Sequence, residues 1–156
     1  MGLFDYAVSD QLHTGAADGA HGYVFLENLS PSDWKKILVH AETKRFAAGQ
    51  VLIRNGDVDD SFYILSEGTV EVILPGKDAA FTTIIEGAVF GEMAFFDCLP
   101  RSATIRAKTA GTAIRLSRDG YTRLSGWEPA LARTIVLDLG KVLALRLRAT
   151  NARFLV

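Results

Sequence analysis

Cysteine is almost missing from this chain: Cys98 is the only one in 156 residues. A single thiol excludes an internal disulfide framework and, with only three histidines, leaves no Cys/His cluster of the zinc-binding kind. The histidines, His13, His21 and His40, all precede the β-rich part of the sequence, and none stands at a metal-ligand spacing from another. A reducing compartment and no metal site are expected. An excess of either charge is missing as well, with 17 Lys and Arg against 18 Asp and Glu. The formal net charge is -1, without the basic excess or stripe of a nucleic-acid module. No uninterrupted apolar run reaches the roughly 20 residues that a membrane-spanning helix needs, so membrane insertion is not expected. The opening Met1-Gly2-Leu3-Phe4-Asp5-Tyr6 has neither the basic n-region nor the apolar core of a secretory signal, and Tyr6 stands where the myristoylation pattern requires Ser or Thr. These absences together describe a soluble cytoplasmic protein. A phosphate-cradling P-loop is missing too, since Gly76-Lys77 is followed by Asp78 and lacks the preceding glycine. No nucleophile, base and orienting group stand together. The chain is therefore not expected to be an enzyme or to carry a cofactor.

What the chain does have is apolar content. Hydrophobic residues make up 49%, enough for one core of ordinary size. Residues 1–22 read as a flexible N-terminal tail, because the stretch from Ser9 to Gly22 is rich in Gly, Ala, Asp and His and has no apolar period. Residues 23–156 form the domain, including its C-terminal helices. Ser30-Pro31-Ser32-Asp33 opens a helix, with Ser30 as N-cap, Pro31 at the first helical position and Asp33 complementing the dipole. That helix is short and ends near His40. From residue 43 to 117 short β-branched and aromatic segments alternate with turn signals about every ten residues, the mark of an all-β sandwich or barrel. Strands are expected at 43–46, 51–54, 61–65, 69–74, 82–85, 103–107 and 113–116. Asn55-Gly56, Ser66-Glu67-Gly68 and Pro75-Gly76 supply turns between them. Helices follow at 118–125 and 129–153. In the second, Leu131, Ile135, Leu139, Val142, Leu145 and Ala149 recur at three- and four-residue steps. Leu137, Leu143 and Leu147 lie off that stripe and need a second partner. The fold class is α+β: an antiparallel jelly roll of about eight strands, with a short helix before it and helices after it.

Between the strands stands Phe90-Gly91-Glu92-Met93-Ala94, followed by Pro100-Arg101-Ser102-Ala103-Thr104. Gly91 lets backbone approach a ligand closely. A turn opening at Glu92 presents backbone N–H groups, an anion cradle. Beside an anion the Glu92 carboxylate needs its own donor, and a ribose hydroxyl is one. Arg101 supplies a permanently charged fork matched to phosphate oxygens. The bland alternative is that Glu92 and Arg101 pair with each other on a surface loop, where such pairs are common and weak.

These segments resemble the phosphate-binding cassette of the cyclic nucleotide-binding domain family. Gly49, Gly56-Asp57, Phe62-Tyr63-Ile64-Leu65 and Gly68-Thr69-Val70 stand where that family has its strand-and-turn glycines. The run from Gly87 to Ala94 is similar to the cassette entry and Pro100 to Thr104 to its exit. The resemblance implies a regulatory signal-transduction domain that binds cyclic AMP by preference, or cyclic GMP. Gly91, Glu92, Met93, Ala94, Arg101 and Ser102 would line the site, Glu92 on the ribose 2′-hydroxyl and Arg101 on the exocyclic phosphate. Ser102 suits phosphate or a guanine amino group equally. The resemblance also makes the short cassette turn helical and the helices after the roll a hinge and lid, with Arg146 and Arg148 as candidate base contacts. Occupancy would move these helices against an effector protein or a second protomer, a homodimer through the leucine-rich C-terminal helix.

Three other readings compete with this one. A cupin-type metalloenzyme shares the jelly roll, but it needs histidine and carboxylate ligands on strands. A transcription regulator would carry a helix-turn-helix after the long helix. The sequence stops at Val156, and its last part mixes Arg133, Lys141, Arg146, Arg148 and Arg153 with leucines, so no DNA contact is expected. The third is a protein-interaction module on the same fold, ligand-free or differently liganded.

Overall fold

The computed structural model describes residues 23–154, and the expected tail, 1–22, lies outside them. The chain runs α1 (Pro31–His40), β1 (Glu42–Phe46), β2 (Val51–Ile53), β3 (Phe62–Glu67), β4 (Val70–Ile73), β5 (Thr82–Ile84), β6 (Val89–Phe90), α2 (Glu92–Asp97), β7 (Thr104–Ala107), β8 (Gly111–Leu116), α3 (Arg118–Trp127) and α4 (Pro129–Phe154). The strands form two antiparallel four-stranded sheets, in the orders β1-β8-β3-β6 and β2-β7-β4-β5. This is the antiparallel roll followed by helices that the sequence pattern implies. The two-residue strand β6 was not expected, because so short a segment shows no alternation.

Period two sorts the side chains of the first sheet between two cores. In β3, Tyr63 and Leu65 face the roll interior, with Val70, Val72, Phe90, Ile105 and Ala113. Phe62 and Ile64 face the other way, into a cluster built with Phe25 from the turn before α1 and with Ile37, Leu124, Leu131, Ile135 and Leu139 from the helices. Both faces of β3 are therefore buried, and its sequence reads as a continuous apolar run. The same parity in β8 sends Ala113 inward and Leu116 to the helices.

The helix ends follow the sequence. The Ser30 hydroxyl accepts from the Asp33 N–H at 3.1 Å, and the Ser117 hydroxyl accepts from Gly120 at 3.0 Å at the start of α3. Asn55-Gly56 turns the chain with Gly56 at φ 88°, the Asp57 N–H donating to the Arg54 carbonyl at 3.1 Å. That turn sends residues 57–61 toward the cassette.

Helix α4 departs from its expected stripe. Leu131, Ile135, Leu139 and Val142 are buried as anticipated, but the buried face then continues through Arg146 and Thr150 rather than Leu145 and Ala149, which are half-buried. Counting four from Val142, the helical period reaches Arg146 as readily as counting three reaches Leu145. The polar pair wins because a buried carboxylate waits there. Leu137 and Leu147, off the stripe, are 68% and 47% exposed.

Candidate functional site

Gly91 stands at φ 77°, in the left-handed region, as the N-cap of α2. A side chain there would be strained, and an added Cβ would lie 2.9 Å from Arg101 Nη1 and 3.3 Å from the Ser61 carbonyl oxygen. Glycine thus allows the guanidinium to lie against the backbone. Helix α2 straddles both cores: Met93 packs on the roll interior, while Phe95 enters the helical cluster with its ring edge-on to Phe62 at 5.0 Å. Its neighbour Phe96 is 38% exposed, so only one of the two aromatics serves as core. Ala94 is buried and its carbonyl accepts the Cys98 N–H that ends the helix. Ser102 is half-buried beside Arg101.

Glu92 and Arg101 do not meet on the surface. Glu92 is fully buried and Arg101 is 6% exposed, and each is paired elsewhere. Arg101 donates from Nη1 to the Gly91 carbonyl at 2.7 Å, and from Nη2 to the Ser61 carbonyl at 2.6 Å and Asp59 Oδ2 at 3.0 Å. Its Nε is buried without a protein acceptor. The arginine's backbone is clamped as well, its N–H donating to the Asp57 carbonyl and its carbonyl accepting from Gly56, both at 2.8 Å.

Glu92 Oε1 accepts from Arg146 Nη1 at 2.5 Å, and Arg146 Nη2 donates to the Val89 carbonyl at 2.9 Å. Thr150, one turn on, donates its hydroxyl to the Arg146 carbonyl. Glu92 Oε2 is buried without a hydrogen-bond partner. The family resemblance makes Arg146 a candidate base contact. The structure places it on the cassette carboxylate, because the buried stripe of α4 points it there. Arg148 is exposed and is not brought to Glu92 or Arg101.

Three residues at the site were not anticipated. Asp59 Oδ2 receives Arg101, while its Oδ1 receives Arg115 Nη2 at 2.9 Å and the Ser61 hydroxyl at 3.0 Å. Burial pushes the Asp59 carboxyl up, but the hydrogen bonds from Arg101 and Ser61 and the charges of Arg115 and Arg101 outweigh it, holding the group below its ordinary range. Burial opposes the charge of Arg115; Asp59 beside it more than compensates and raises its pKa. The available signal was parity: in β8, Arg115 shares the roll-facing register of Ala113, directly opposite Tyr63, where an apolar residue is the usual choice.

A second polar junction ties residues 23–29 to α4. The Tyr23 hydroxyl donates to Asp138, as does the Leu26 N–H at 2.7 Å. Burial, then the bond to Asp138, pushes the Tyr23 phenol up to about 12. Among the described residues no group of His, Cys, Asp or Glu is arranged to hold a metal, and no helix is long and apolar enough to cross a membrane.

Known proteins with this pattern are consistent with one another. The cyclic nucleotide-binding domain model matches residues 43–125. The cAMP-dependent protein kinase regulatory subunit of Emericella nidulans is 39% identical over 101 residues, covering 65% of this chain and 24% of that protein. The Neurospora crassa regulatory subunit is 30% identical over 118 residues, 75% of this chain and 31% of that one. The chain thus spans about a quarter to a third of the length of these curated relatives. Among solved structures, a cyclic nucleotide-binding domain from Methylobacillus flagellatus superposes with a TM-score of 0.73 at 24% identity, covering 89% of this chain and 86% of that one. The Thermus thermophilus catabolite activator protein gives 0.71 at 23%, covering 83% and 61%. At such identities these two speak for the fold.

Proposed function

The chain belongs to the cyclic nucleotide-binding domain family, and on that premise we propose that it is a cytoplasmic receptor that binds cyclic AMP, with cyclic GMP as the lesser ligand, and relays occupancy through α4 to an effector protein or a second protomer. No catalytic step is assigned to it. The observation that carries this reading is the placement of Glu92 and Arg101. Both are buried in one cassette, and each keeps an unpartnered polar atom, Oε2 on Glu92 and Nε on Arg101. A ribose hydroxyl donates to the first and a phosphate oxygen accepts from the second. The Gly91 carbonyl accepts from Arg101 and so holds the guanidinium at the residue next to Glu92. Met93, Ala94 and Ser102 complete the wall.

The relay follows from Arg146. It joins α4 to the carboxylate assigned to ribose, so a nucleotide that engages Glu92 changes what α4 holds. A ligand shifts such an equilibrium only by its differential affinity for the two states, and a shared carboxylate supplies one. Arg148, exposed in this state, reaches the base only if the end of α4 moves.

The homodimer rests on the outer face of α4. Ala130, Arg133, Leu137, Gly140, Ala144, Leu147 and Asn151 are all exposed and recur at the alternating three- and four-residue spacing of a coiled-coil seam, with Leu137 and Leu147 as its large apolar members. An added Cβ on Gly140 would meet nothing within 4 Å, which leaves room for a second helix. Light scattering should give a dimer mass; a monomer with and without nucleotide removes this part.

The alternative is a protein-interaction module that needs no nucleotide. It is favoured by the partners that Glu92 and Arg101 already have. Calorimetry with cyclic AMP and cyclic GMP separates the two: micromolar or tighter binding of either supports the receptor, and no heat with both at high micromolar concentration supports the module.

A further inference from the structure

We propose that Arg115 is a positioning residue for the phosphate end of the cassette: by sharing Asp59 with Arg101, it leaves Arg101 with positive charge to offer an anion. The proposal rests on the cyclic nucleotide reading above.

One carboxylate stands between two guanidiniums. Arg101 is 4% exposed at its side chain, Asp59 26% and Arg115 23%. Among the described residues Asp59 is the carboxylate that pairs with Arg101. The Asp59–Arg101 pair alone is neutral, and without the Arg115 charge an arriving phosphate would compete with an undivided carboxylate. With Arg115 present the trio carries a net charge of +1. The far side of Arg115 does not cancel this. Its Nη1 meets Glu42 at 3.0 Å, but that side chain is 56% exposed and also pairs with Lys44 at 2.8 Å, so water and salt screen it.

The backbone fixes this geometry. Arg115 is in register with both Glu42 of β1 and Tyr63 of β3, on the roll-facing side of β8. Beyond it lies a polar cleft of about 510 Å³, lined by Glu42, Lys44, Gln50, Asp59, Tyr63 and Arg115. Removing the guanidinium therefore enlarges a cleft that is already open instead of creating a void in the core.

A double-mutant cycle read by calorimetry with cyclic AMP, at one fixed salt concentration, tests this. Arg115→Gln should weaken binding about tenfold in the native background and less than about twofold once Asp59→Asn has removed the shared carboxylate. Arg115→Lys, which keeps the charge, should stay within about threefold of native. Should the Gln variant fail to fold, Arg115→Met keeps the aliphatic stem in the cleft and serves the same comparison. An equal loss in both backgrounds overturns the proposal, because Arg115 would then act by supporting the β1–β8 pairing alone. So does an unchanged affinity in the native background. A native chain that binds neither cyclic AMP nor cyclic GMP instead overturns the receptor reading on which the proposal rests.

Discussion

The two ends of the cassette are held by different parts of the molecule. Among the described residues, the Arg101 side chain takes its partners from the roll and the cassette's own entry: Ser61, Asp59 and Gly91. Glu92 takes its partner from α4, 54 residues further along the chain. One end is therefore anchored in the scaffold, while the other is fastened to the element proposed to move. A ligand bridging both ends would be gripped by the first and reported by the second. The contrast explains why two charged residues so close in sequence are both buried without pairing with each other.

Removing one member of the Glu92–Arg146 pair should have the largest effect on the protein itself. Arg146→Leu leaves a fully buried carboxylate with no cation, which should cost about 3–5 kcal/mol of stability in chemical denaturation. Replacing both with leucine should recover most of that stability and none of the nucleotide binding. At the scaffold end, Arg101→Ala should cost about 2–5 kcal/mol of cyclic nucleotide binding by calorimetry, with α4 still docked through Arg146. A variant that loses α4 protection equally would erase the distinction between the two ends.

Glu92→Ala should cost a smaller amount of binding, about 1.5–3 kcal/mol for a hydrogen bond to a charged group. Unlike Arg101→Ala, it should also loosen α4 in hydrogen exchange. The smallest effect is on acid stability. The Asp59 carboxyl lies below its ordinary range in the folded state. Its contribution is therefore complete above the unfolded value of about 3.9 and lost as pH falls through the folded one. Asp59→Asn should flatten the acid limb of the stability curve below about pH 4; an unaltered limb would show that Arg101 and Arg115 do not bind this carboxylate in solution.

The sequence was informative where local chemistry decides. Ser30-Pro31 caps its helix as expected, Asn55-Gly56 and Pro75-Gly76 make turns, and the strand-length segments pair into two sheets. Glu92 and Arg101 were picked out by their neighbours Gly91 and Pro100. The partners were harder to see because they are set by tertiary packing. Asp59 lies in the acidic run Asp57-Val58-Asp59-Asp60, where composition alone reads as solvated loop. Arg115 interrupts an inward-facing register, a signal visible only once strand parity is assigned. Arg146 was singled out as a candidate base contact, and its pairing with Glu92 was not foreseen. The three-or-four ambiguity of the helical period allowed Leu145 as the next core position, and only the packed structure shows that a guanidinium occupies that face.

The most direct test of this account is hydrogen exchange along α4 with and without saturating cyclic AMP. Because Arg146 joins the helix to Glu92, the account predicts that ligand changes the protection of α4 around Val142 to Thr150 and leaves β3 and β8 as they were. Unchanged protection of α4 in a chain that binds the nucleotide would contradict it.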